Sequence, residues 1–136
     1  MSFWKGRKHK MYDEFKKIEA ELEGEEYFCD GIGFYFFCDS VATIGDNYET
    51  LKKILITNKI IGKDDNIELV KIENPVSDFE PIGNEWHFNE QIKKRFVDIL
   101  KEADVYYSLT SDDSWSTCRI IQKGDEYVLL EFFICD

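Results

Sequence analysis

Two histidines, four cysteines and several adjacent acid pairs are the side chains of this sequence best suited to chemistry. His87 has Glu85, Trp86 and Glu90 around it. A carboxylate neighbour would raise its pKa and suit it to general acid/base work in a small hydrolase or nuclease. No nucleophile is identifiable beside it, and a polar residue where a helix begins accounts for it more simply. The pairs Glu25-Glu26, Asp64-Asp65 and Asp112-Asp113 bring to mind the carboxylate clusters that hold Mg²⁺ in metal-dependent nucleases. Adjacent residues on a strand point to opposite faces, so such a pair does not build a site by itself. Solvated turns explain all three. The EF-hand spacing, a Gly-rich phosphate loop, G-x-S-x-G and G-x-G-x-x-G are absent, and Gly31-x-Gly33 is too short to count. The sequence therefore predicts no catalytic residue, no metal and no cofactor.

Cys29, Cys38, Cys118 and Cys135 form no C-x-x-C pair, which argues against zinc. An even count permits disulfides, yet a chain with this many apolar residues has no need of them. Buried free thiols in a cytoplasmic protein are the expectation.

The elements that must position these residues can be read from periodicity. Met11, Tyr12, Phe15, Ile18 and Leu22 predict a helix near 9–23, stopped by Gly24. Asp30-Gly31 between aromatic runs predicts a hairpin over 25–38, with a single strand bulged at Gly31 or Gly33 as the alternative. Phe34 to Cys38 is apolar on both faces and is expected centrally in a sheet. Asp46 and Glu49 resemble a capping box ahead of a helix over 47–59. A turn at 62–66 leads to a strand over 67–72. Residues 73–87 hold both prolines and four acids with no base, and read as a long irregular loop of the kind that often carries function. Phe88, Ile92, Phe96, Ile99 and Leu100 predict a helix over 88–102. Three strands follow, at 104–109, 115–122 and 126–134. A turn centred on Lys123-Gly124 would pair Cys118 with Leu129 and set Cys135 opposite Asp112. The fold class is α+β: an antiparallel sheet with a C-terminal three-stranded meander, packed with about three helices, in one domain over 1–136.

Charge limits the partners. Residues 1–17 hold six Lys/Arg against two acids, and the remaining chain holds 11 against 26, within a net charge of −11. The acidity is carried by an aromatic-rich body and not by an acidic tail, since apolar residues make up 43% and aromatics 15%. Such a field disfavours nucleic acid and anionic lipid and favours a basic protein partner. No stretch reaches the ~20 apolar residues of a membrane span. The basic start has the charge of a secretory signal but no hydrophobic run follows it, so residues 1–8 read as a flexible basic lead-in. With Phe3 and Trp4 it could touch a membrane surface, though a solvated segment is the plainer reading.

Acids beside aromatics form the strongest pattern. Asp78, Phe79, Glu80, Glu85 and Trp86 lie in the expected loop, and Asp104, Tyr106, Tyr107, Asp112, Asp113 and Trp115 lie around the expected turn at 110–114. Interfaces anchor on Trp and Tyr, and carboxylates complement a basic partner. Asp78, Glu80, Glu85, Trp86, Asp104, Tyr106, Asp112, Asp113 and Trp115 are thus the candidate docking residues, with core packing of the two tryptophans as the alternative.

A short aromatic-rich α+β domain, strongly acidic and without catalytic motifs, resembles the small acidic bacterial immunity proteins as a class. The likeness spans the whole chain and rests on no diagnostic motif. It implies a heterodimer with a basic toxin domain, in some cases a nuclease, inhibited by blocking its active site or substrate path. The basic first 17 residues depart from a uniformly acidic inhibitor and leave room for a second surface. A homo-oligomeric regulatory domain is a further reading, which a large apolar surface patch would favour.

Overall fold

The computed structural model describes residues 10–23, 30–39, 48–111 and 117–134. In chain order the elements are α1 (Lys10–Glu23), β1 (Asp30–Cys38), α2 (Tyr48–Thr57), β2 (Ile67–Lys71), α3 (Pro75–Glu85), α4 (Glu90–Glu102), β3 (Val105–Ser111), β4 (Thr117–Lys123) and β5 (Glu126–Ile134). The five strands form one antiparallel sheet in the order β1-β5-β4-β3-β2. The class is α+β, and β3, β4 and β5 make the expected meander.

Alternation along the strands divides the core in two. Tyr106, Ile121, Val128, Leu130 and Phe132 face α1, α3 and α4. Tyr107, Leu109, Ile120, Tyr127 and Leu129 face the other way, where Leu51, Ile54 and Leu55 of α2 cover them. The first layer is built on rings. Phe96 of α4 lies 4.6 Å from Phe79, 5.5 Å from Phe88 and 5.8 Å from Phe15, centroid to centroid. Glu126 at the start of β5 accepts the backbone N–H of Tyr12 at 3.1 Å, tying the first turn of α1 to the sheet.

The segment expected as a loop over 73–87 is instead a helix. Asn74 caps it by accepting the Ser77 N–H, and Pro75 takes the first position, where no N–H is required. Pro81 lies inside the helix on its exposed side and removes one internal hydrogen bond. Burial of Phe79, Ile82 and Trp86 outweighs that loss. The described residues therefore hold four helices.

Three sheet expectations are also corrected. Asp30 and Gly31 do not turn; they pair with Ile134 and Phe133 in one strand without a bulge, and residues 25–29 lie outside the described residues. The strand Phe34–Cys38 is at the edge and not central. The β4–β5 turn centres on Gly124 and Asp125, with Gly124 at φ +60, so Cys118 pairs with Glu131 and Leu129 pairs with Ile120. Cys118 is buried and in no disulfide, as expected, whereas Cys38, also in no disulfide, is exposed; Cys29 and Cys135 lie outside the described residues.

Candidate functional site

Of the six sequence-predicted docking residues among the described ones, Asp78, Trp86, Asp104 and Tyr106 are engaged in contacts within the fold. On the α3 side of the sheet, Arg119 of β4 donates from Nε to Asp78 Oδ2 at 2.7 Å and from Nη2 to Asp78 Oδ1 at 3.1 Å. Tyr106 donates its hydroxyl to the same Oδ2 at 2.7 Å, and Arg119 Nη1 reaches the Cys118 carbonyl at 2.9 Å. The Arg119 and Asp78 side chains are only 14% and 20% exposed. Burial works against the Arg119 charge, but the hydrogen bonds and charge of Asp78 outweigh it and raise the guanidinium pKa. Burial, with the Asp78 hydrogen bond and charge adding to it, pushes the Tyr106 phenol far up. This two-pronged pairing fastens α3 to the sheet. Asp78 and Tyr106 hold the fold together at this point.

Trp86 is 4% exposed, packs edge-on against Phe132 at 5.5 Å and donates its indole N–H to the Phe133 carbonyl at 3.0 Å. It is a core ring, not an exposed anchor. Asp104 accepts the Gly124 N–H at 2.9 Å and lies 3.9 Å from Lys123, bracing the β4–β5 turn. Glu80 and Glu85 are exposed on α3. Asp112, Asp113 and Trp115 lie outside the described residues.

His87 has a backbone role. The N–H of His87 reaches the Asn84 carbonyl and that of Phe88 reaches the Gly83 carbonyl, the paired bonds of a Schellman ending. His87 takes the left-handed position at φ 57 and is exposed. Helix α2 ends the same way, with Lys59 at φ 61. Of the two carboxylates nearest His87 in sequence, Glu90 pairs with Lys93 and Glu85 is exposed. Among the described residues, no group of three His, Cys, Asp or Glu side chains could hold a metal. No helix among them is long and apolar enough to cross a membrane.

The acid-beside-aromatic pattern reappears at the β2 edge of the sheet. A groove of about 380 Å³ runs between α2 and β2 and includes Tyr48, Glu49, Lys52, Glu68 and Val70 in its lining. Tyr48 is 54% exposed and Val70 48%, and with Tyr35 they are the exposed large apolar side chains of the described residues. Ile67 and Leu69 are half-buried against the α2 core, so Glu68 and Val70 alternate outward. An outward valine on a polar strand position, and Tyr48-Glu49 heading a helix, were the sequence signals for this place. Comparison with family models, curated proteins and solved structures found no match to this chain.

Proposed function

We propose that the protein is a non-catalytic acidic binding protein that neutralises a basic partner, most simply as an immunity protein against a bacterial toxin and resident in the cytoplasm with it. The supporting observation is the number of carboxylates left unpaired at the surface. Glu49, Glu68, Glu73, Glu80, Glu85 and Glu102 are exposed and form no ion pair among the described residues. A net charge of −11 spread this way steers a cationic protein toward the molecule and speeds association. Tyr48 and Val70 supply apolar contact within that field. The loss of Asp78, Tyr106 and Trp86 to internal packing moves the proposed docking surface from α3 to the α2–β2 edge. A hydrolase built on His87 gains no support, because its conformation and exposure are those of a helix ending.

The test is co-expression with the product of the immediately upstream open reading frame. The expected result is restored growth and a one-to-one complex on size exclusion that loosens with salt. Unrelieved toxicity, or two proteins eluting separately, would reject the proposal.

A further inference from the structure

The edge strand β2 is unpaired on its outer side among the described residues. Its register with β3 shows which backbone groups face out. Ile72 N–H bonds to the Tyr106 carbonyl directly opposite, continuing the pairing of Val70 with Ser108 and Glu68 with Thr110. In an antiparallel ladder directly bonded pairs alternate with non-bonded ones. Residues 68, 70 and 72 therefore bond inward, and Ile67 and Leu69 turn their N–H and C=O outward. An open edge of this kind is normally blunted by lysine, proline or a bulge. Here the only lysine is exposed Lys71 at the end of the strand; the middle carries Glu68, Leu69 and Val70, and the pairing with β3 is regular.

We infer that β2 accepts an extended basic segment of the partner as a sixth strand, held by the outward groups of Ile67 and Leu69. The inference rests on the binding function proposed above and specifies how the partner docks. An added strand projects alternate side chains to the two faces of the sheet. On the α2 side they would meet Glu49 and Tyr48; on the other they would meet Glu68 and Val70. Both faces thus offer a carboxylate beside an apolar contact, with Lys52 as the one cation of the groove. A segment alternating lysine or arginine with β-branched residues fits both faces.

The test uses the full chain and a fluorescein-labelled octapeptide of alternating lysine and valine. A second peptide carries a methyl on every internal backbone nitrogen, which keeps the charge and removes the donors. Fluorescence anisotropy should show binding of the first and at least tenfold weaker binding of the second. Hydrogen exchange at the Ile67 and Leu69 amides should slow at least tenfold in the complex. Replacing both acids (Glu49→Gln with Glu68→Gln) should weaken the first peptide several-fold and flatten its salt dependence. Equal binding of both peptides, or unchanged exchange at Ile67 and Leu69, overturns strand addition. Slowed exchange at those amides on concentrating the protein alone would assign the edge to a second copy and also overturn it. A toxin neutralised equally by wild type and the double variant, without protection at Ile67 and Leu69, would reject the docking mode while leaving the neutralising function standing.

Discussion

A carboxylate meets an aromatic residue on the α3 side of the sheet and again at the β2 edge, and the two places do opposite things. On the α3 side, Asp78 meets Tyr106 and Arg119 under a helix, with every charged atom bonded inside the fold. At the β2 edge, Glu49 stands with exposed Tyr48 on the α2 side and Glu68 with exposed Val70 on the other, and among the described residues no cation pairs with either carboxylate. Residue types alone do not separate these cases. A basic residue arriving from a neighbouring strand does: Arg119 projects from β4 to the same side of the sheet as Tyr106 and reaches Asp78, whereas among the described residues no cation reaches Glu68. The lesson is that a carboxylate near a ring is an interface candidate only when no arginine of the same chain reaches it first.

The largest expected effect concerns Trp86. Replacing it with alanine should cost about 3–5 kcal/mol of stability by removing a buried ring; the checking measurement is the urea midpoint at constant slope. A near-neutral result would return Trp86 to the surface and undo the contrast. Next is Asp78→Ala, which strands Arg119 and the Tyr106 hydroxyl at a partly buried site. A loss on the order of 2–3 kcal/mol is expected, with Arg119→Lys also destabilising because it cannot form the bidentate pair.

A pH titration sharpens the same contrast. Burial, with the Asp39 charge adding to it, pushes the Tyr127 phenol up to about 12, and burial raises Tyr12 and Tyr106 as well. A folded pKa above the unfolded value near 10 favours the protonated folded state. That stabilisation is complete below pH 10 and is lost as pH rises toward 12 and beyond. Phenolate absorbance from these buried tyrosines should therefore rise only together with loss of near-ultraviolet dichroism. His87→Gly should stabilise by about 0.5–1 kcal/mol, since glycine takes the left-handed position without strain. Smallest of all should be Glu49→Lys with Glu68→Lys. Stability should move within about 0.5 kcal/mol, as for surface sites generally, while affinity for a basic partner falls.

The helical stripes of α1, α2 and α4 and the alternating strands of the meander were legible because each buries one side, and burial imposes a period. Helix α3 was not. Its stripe of Phe79, Ile82 and Trp86 has helical spacing, but two prolines within seven residues masked it. Their positions, one at the helix start and one on the exposed side, are what make them tolerable. The edge position of β1 was hidden for another reason. Phe34 and Phe36 pack toward α1 while Phe37 packs toward α2, so both faces are apolar. Burial of the faces does not report whether both lateral edges are paired. Of the candidate site, the chemistry was visible and the location was not, because Arg119 and Asp78 meet across 41 positions of sequence.

The bond from Glu126 to Tyr12 spans 114 positions, and β1 rests on β5 along its whole length. During synthesis α1 and β1 therefore meet these neighbours only after β5 has been made. Such long-range closure slows folding and exposes a phenylalanine-rich strand to other chains in the interval.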